Sequence, residues 1–600
     1  MLQINTGKLF TREVERTNQL TGVLYSNLRL PHGRDIRTAA GSLRSTGYGP
    51  VDLALVYEVE ERIELGPSGP GVLVSHTVGP YLDQFAVVAS FGLGGIVGRS
   101  EGAVRTLTDG RAGGTTRDAP SQYVSRIFDQ TTYLSSEEAE QFERFVADLL
   151  ALERKSYLGA LRAMHTFTAG LRRIPDDLGQ AYVLMVSALE SLAQDFDAFI
   201  PTWADVDEGK RRAIDSILAG VGEDTAGAVR AALLAHEHVA IARRYRAFAL
   251  SHIDAAFFRQ ASRGSRPVAR YELAAALASS YNLRSKWVHQ GRPLPDPIMH
   301  PHGHWETTTV ERRPALTLEG LVRITSHVIR SFVEKQPKVE REPYDYTHER
   351  HGIVIMEWAP QYTIWRPFTD PAHSRKRLEG LMSLICALMM REPDAGLVDM
   401  RPMLADVERL LPQAPRQHRL AMLSLHILFN FMVAPEMRSP EFDAFYEAHA
   451  DEAGTLGVES VVVASLLSAE DDWDIEAHAA MLDRYFSERV RPSGLHAPRL
   501  AEAAMCLTLA EKFRIAGDDV RTRGYVGMAL EAHPGRLELH HLERELSMDT
   551  PLAWRAILLP TDEHSADDAS APLSAGDRSA DIEEMPTEQD QIGDADAKNA

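Results

Sequence analysis

The chain has 600 residues, too many for one hydrophobic core, with the 44% hydrophobic and 25% charged residues of ordinary globular protein. Its formal charge of −21 argues against binding polyanions over the whole surface. Only Cys386 and Cys506 occur, which excludes a disulfide framework and a cysteine zinc site and suits a reducing, cytoplasmic setting. No run approaches 18 apolar residues, so no membrane span is expected, and Met1 to Phe10 lacks the apolar stretch of a secretory signal.

Residues 1–130 are expected to form a β-rich domain. Segments 51–60, 71–78 and 81–91 are rich in Val, Leu, Tyr and Phe and are separated by Gly and Pro. The glycine-rich stretch Gly92-Leu93-Gly94-Gly95-Ile96-Val97-Gly98 lacks a Gly-Lys-Ser/Thr ending. No helix is expected over 99–114, so a phosphate loop has no helix N-terminus to use, and a strand end followed by a loop is the expectation.

From Ser135 the period changes. Ser135-Ser136-Glu137-Glu138 is a helix start signal, followed by Phe142, Phe145, Val146, Leu149 and Leu150 at helical spacing. Further helices are expected at 157–171, 176–195, 210–218, 225–234, 238–248, 271–289 and 316–334, giving a helical domain over 135–338. Pro337 and Pro343 mark its end. Residues 339–374 read as an irregular linker with a short hairpin at 353–365. Residues 375–560 read as a second α-helical domain. Within it, Leu509, Ala510, Phe513, Gly517-Asp518, Ala529-Leu530 and Pro534 resemble a single tetratricopeptide-type helix pair over 503–536, with Thr522 in place of the usual small residue. Its expected role is scaffold or partner binding. Segment 561–600 has twelve Asp/Glu against two Lys/Arg and few apolar residues, and an acidic disordered tail is expected. The fold class is therefore mostly α and multidomain, with a β-rich start and a C-terminal domain that is either a degenerate helical repeat or an undefined α-helical bundle.

The charge is uneven. Residues 240–292 carry ten Lys/Arg against two Asp/Glu, a local +8 that suits a polyanion. Inside that stretch lies Tyr281-Asn282-Leu283-Arg284-Ser285-Lys286-Trp287-Val288-His289-Gln290-Gly291. Arginine grips phosphate with a planar fork, and histidine exchanges protons near neutral pH. Metal-free phosphodiester cleavage at ribose needs a base for the 2′-hydroxyl and a cation for the charge that builds on phosphorus. His289 suits the first need and Arg284 the second. Five residues turn an ideal helix through about 140° net, so the two do not share one stripe. Ser285 stands one turn before His289 and is expected to hydrogen-bond its ring. Ser285, Lys286, Arg292, Arg243 and Arg244 are the expected substrate contacts. His300, His302 and His304 alternate, but no acid or thiol nearby completes a metal set.

The string Tyr281-x-x-Arg284-Ser285-x-x-Val288-His289-x-Gly291 resembles the motif helix of the HEPN superfamily, most closely its Apea-like branch. The upstream helix through Tyr182, Met185, Leu189, Glu190 and Leu192 is similar to the apolar, Glu-bearing helix of that branch. The resemblance covers about 150–335. It implies an all-α bundle that dimerises, so that two motif helices build a composite ribonuclease site, often in phage defence or stress response. It also implies that Arg284 and His289 are catalytic and that Glu190 supports them by charge pairing. On that basis the expectation is a metal-independent endoribonuclease with no cofactor, acting on RNA as a homodimer, with a protein partner or trigger at the flanking domains and no membrane. The alternative is a non-catalytic RNA- or nucleotide-binding scaffold, since some members of the superfamily bind without cleaving.

Overall fold

A computed structural model of the chain describes residues 1–31, 34–46, 53–64, 76–109, 118–196, 202–206, 208–236, 241–260, 266–349, 362, 364, 367–393, 395–491 and 494–560. The hairpin expected at 353–365 lies outside these except for Tyr362 and Ile364, as do most of the strand expected at 71–78 and all of the tail 561–600. The chain divides into two compact units, Met1–Ile355 and Met356–Ala600. It is mostly α-helical, with a small sheet near its start.

The first unit opens on an antiparallel sheet. Strand β1 (Val14–Ser26) pairs along its length with β5 (Ala54–Glu64). β2 (Leu28–Arg29), β3 (Ile36–Thr38) and β4 (Gly41–Ser45) lie between them in sequence. The sheet order is β3-β4-β5-β1-β6, with β6 (Val97–Gly98) at the far edge. β5 alternates as a half-buried strand should, with Leu55, Tyr57, Val59, Glu61 and Ile63 inward. The inward Glu61 is satisfied by the His76 ring at 3.0 Å, the Tyr81 hydroxyl at 3.3 Å and Asn18 at 3.1 Å.

Residues 81–91 correct the reading of a third strand. They belong to helix α1 (Gly79–Leu93), which lies against the sheet with Phe85 packed on Tyr57 at 4.5 Å between rings. Ten of its positions are buried, Tyr81 through Phe91 almost without interruption. A helix covered on nearly all sides has no amphipathic period, so its apolar run reads like a strand. Gly94, at φ +65°, ends it with its N–H on the Ser90 carbonyl, so this glycine closes a helix rather than a strand. The loop expected over 99–114 is also corrected. Helix α2 (Glu101–Thr108) begins there, with Ser100 accepting from the Ala103 N–H.

After β7 (Thr132–Tyr133) come α3 (Ser136–Ala151), α4 (Arg154–Arg173), α5 (Leu178–Phe196), α6 (Glu208–Leu218), α7 (Glu223–His236), α8 (Ile241–Ser251), α9 (Arg270–Gln290) and α10 (Asp296–Met299). A hairpin of β8 (Thr307–Val310) and β9 (Arg313–Leu316) precedes α11 (Leu318–Lys335). Ser135 and Glu138 make the expected capping box at α3. The boundary expected near residue 130 does not separate two cores. Buried side chains from Met1 to Tyr346 form one continuous cluster. Helix α5 sits inside it, packed on α4, α8, α9 and α11.

A close approach at the start of α11 helps hold this core. The Thr317 hydroxyl caps α11 by accepting from the Gly320 N–H, and a Cβ on Gly320 would fall 2.1 Å from the Glu306 carbonyl oxygen. Glu306 is buried, accepts the Val268 N–H and pairs with Arg323 at 2.8 Å. Because the obstacle is backbone, Gly320→Ala should destabilise the unit by about 3 kcal/mol, the upper part of the overpacking range. A chemical-denaturation midpoint for this unit equal to the parent's would refute that reading.

The second unit is helical throughout its described residues: α12 (Ser374–Met389), α13 (Arg401–Leu410), α14 (Arg416–Met432), α15 (Phe442–Ala453), α16 (Val458–Leu467), α17 (Ile475–Glu488), α18 (Arg499–Ile515), α19 (Asp519–Ala532), α20 (Leu537–Glu545) and α21 (Trp554–Leu558). Alternate helices α12, α14, α16 and α18 pack side by side in a row. They are the most buried of the unit, as a central row must be, and α14 is buried without a break from Ala421 to Asn430. α18 and α19 form a tight pair over the stretch read as one. Gly517 turns at φ +78°, Asp518 caps α19 through the Arg521 N–H, and Phe513 stacks on Tyr525 at 5.5 Å.

Candidate functional site

Helix α9 buries Leu273, Ala276, Leu277, Ser280, Tyr281 and Leu283, a stripe at three- and four-residue spacing. It ends at Gly291, φ +62°, with the Gly291 N–H on the Trp287 carbonyl and the Arg292 N–H on the Lys286 carbonyl. The first of these bonds is that of an αL ending, which needs a left-handed residue and so favours glycine. Helix α5 meets α9 closely at its own start: a Cβ on Gly179 would stand 2.7 Å from Trp287 Nε1. The two helices that carry the motif residues are thus in direct contact.

Where they cross, Glu190 of α5 pairs with Arg284 of α9 at 2.6 Å. Both are largely inside, with side-chain exposures of 8% and 17%. The Tyr281 hydroxyl donates to the other Glu190 oxygen at 3.3 Å, and the Arg284 guanidinium stands 5.8 Å from the Tyr281 ring. Tyr245 of α8 packs on Tyr281 with ring centres 5.4 Å apart. Burial, with the Glu190 carboxylate, pushes the Tyr281 hydroxyl up to about 12, and burial pushes Tyr245 higher still. Both phenols therefore remain protonated donors through the neutral range. Two buried polar atoms here make no hydrogen bond, Tyr245 Oη and Arg284 Nε.

His289 lies in the last turn of α9 and is exposed. No hydrogen bond joins it to Ser285, which corrects the expectation that Ser285 holds its ring. Within one chain, Arg284 points into the α5 contact while His289 faces solvent. Lys286 is 4.0 Å from Glu311 at the tip of the β8–β9 hairpin, and Arg292 is exposed just past the helix. Arg244 donates to the Gln194 carbonyl at 2.8 Å, one turn beyond Glu190 on α5, and Arg243 beside it is exposed.

No protein-family model, curated protein or solved structure matches this chain.

Two of the three alternating histidines are separately engaged. His302 Nε2 meets the Pro297 carbonyl at 2.6 Å and stacks on Trp305, and His304 faces Glu319 at 3.5 Å. Among the described residues, no group of three or more His, Cys, Asp or Glu is placed to hold a metal ion. No helix among them is long and apolar enough to cross a membrane. Tyr245 and the hairpin were not singled out from sequence. Tyr245 reaches the site only through helix packing. The hairpin has turn residues Glu311-Arg312 in place of the Asn-Gly signal.

Proposed function

We propose that the first unit is a metal-independent endoribonuclease of the HEPN type, working as a homodimer in a defence or stress setting. The observation that carries this is the Glu190–Arg284–Tyr281 cluster, with His289 exposed at the end of the same helix. Glu190 fixes the guanidinium, whose remaining donors stabilise charge on the phosphorus as the 2′-oxygen attacks. His289 takes the 2′-hydroxyl proton, and the leaving 5′-oxygen receives a proton from the imidazolium so formed or from the partner copy's motif helix. The products are a 2′,3′-cyclic phosphate and a free 5′-hydroxyl. Since Arg284 and His289 diverge on one chain, the reading places the scissile phosphate between two copies of α9.

The reading is tested by induced expression of wild type beside an Arg284→Ala/His289→Ala chain. Growth arrest with RNA fragments from the wild type alone is the expected result. Equal growth, or equal fragmentation, would refute it.

A second reading has its own support. Arg284 is inside and paired, as a structural cation is, and the second unit has a groove of about 980 Å³ bounded by α12, α14, α15 and α16. Phe431, Tyr446 and Trp473 line that groove, with Glu470 and Asp472 at its rim. On this reading the protein is a non-catalytic RNA- or nucleotide-binding scaffold that recruits a partner. It gains if RNA binds and survives intact.

A further inference from the structure

The β8–β9 hairpin stands beside the motif helix and has an unusual tip. Val310 pairs with Arg313, so the loop is two residues, Glu311 and Arg312. Both are left-handed, at φ +49° and +65°, the conformation of a tight hairpin turn that normally takes Asn-Gly. Two charged residues with side chains are held where glycine would be easier, and such strain persists only where the surroundings or a function maintain it.

The register of the hairpin against α9 says where that tip lies. β9 packs along α9. At its far end, the Leu316 N–H donates to Ser280 Oγ at 3.4 Å. At the tip, Glu311 meets Lys286 at 4.0 Å. From Ser280 to Lys286 the helix advances about 9 Å toward its C-terminus, so the hairpin runs toward His289. Lys286 and His289 are three residues apart and neighbours on the helix surface. The tip residues Arg312 and Arg313 are exposed and have no ion-pair partner among the described residues. Arg292, just after the helix, is exposed as well.

We infer that this hairpin tip is the RNA grip of the site. Arg312 and Arg313 hold backbone phosphates next to the scissile bond, and Glu311 docks the tip on the motif helix through Lys286. The ligand is single-stranded RNA, whose backbone can bend between the hairpin and the helix end. This rests on the nuclease reading for its substrate and adds the element that positions it.

The test uses full-length His289→Ala protein, so that bound RNA is not consumed, and a fluorescein-labelled single-stranded RNA dodecamer. Anisotropy titrations are run at several salt concentrations. Each phosphate contact contributes about −0.7 to the slope of log affinity against log salt for a single strand. Adding Arg312→Ala/Arg313→Ala should reduce the slope by about 1.4 and weaken binding at least about fivefold at moderate salt. A second variant guards against misfolding. Glu311→Asn/Arg312→Gly installs a favoured turn, and should melt no lower than its parent while losing about 0.7 of slope. Unchanged affinity and slope in both variants, or no RNA binding by the parent, would overturn the grip. Tip-dependent binding by a wild-type chain that leaves RNA intact would support the grip and overturn the nuclease reading instead.

Discussion

Replacing His289 by alanine is expected to slow RNA cleavage by about 10²–10⁴-fold, the usual contribution of a positioned general base. The same change should leave stability within about 0.5 kcal/mol, because the side chain is exposed and joins no hydrogen bond or ion pair. The combination is diagnostic. A loss of activity with an unmoved melting curve belongs to chemistry, whereas parallel losses would place His289 among the structural residues. Kinetics on a short oligonucleotide with a calorimetric scan of each variant separate the two.

The second large effect belongs to Glu190. Glu190→Leu keeps the volume but leaves Arg284 charged and largely buried, with the Tyr281 hydroxyl deprived of its acceptor. Removing one partner of a buried pair costs about 3–5 kcal/mol, and Arg284's 17% exposure places this case near the lower end. Arg284→Met in the same chain should recover most of that loss, since the uncompensated charge is then gone. Arg284→Met alone strands the buried Glu190 carboxylate, so the double-mutant cycle should give a coupling of about 3 kcal/mol or more, and additive effects would mean that the pair does not act as a unit. Both single changes should abolish cleavage and lower the melting point, since each strands the other's charge inside. That contrast with His289→Ala distinguishes the residues that hold the cluster from the residue that moves the proton.

Much of the architecture could be read before any coordinates. The helices of 135–338 stood out because most carry an apolar stripe and several carry end signals, as with Ser135–Glu138 before α3 and Gly291 after α9. Reading failed where burial removed the period. α1 is covered on nearly every side, so 81–91 looked like a strand. It failed again where the turn used atypical residues, since Glu311-Arg312 announces no hairpin. The buried cluster runs on past residue 130 for a tertiary reason: α1 packs Phe85 both on Tyr57 of the sheet and on Phe142 of α3.

The motif itself divides in the same way. Its spacing implied that Arg284 and His289 would diverge, and one turns to Glu190 while the other faces solvent. That Tyr281 would tie Glu190 to the motif helix, with Tyr245 packed behind it, depends on how α5, α8 and α9 meet, which no local pattern encodes.

The most direct test is one incubation. Purified full-length protein is mixed with single-stranded RNA in excess chelator, beside its His289→Ala counterpart, and product ends are analysed. The account predicts cleavage by the wild type alone, leaving 2′,3′-cyclic phosphate and 5′-hydroxyl ends. RNA left intact by the wild type, or cut equally by both proteins, would contradict it.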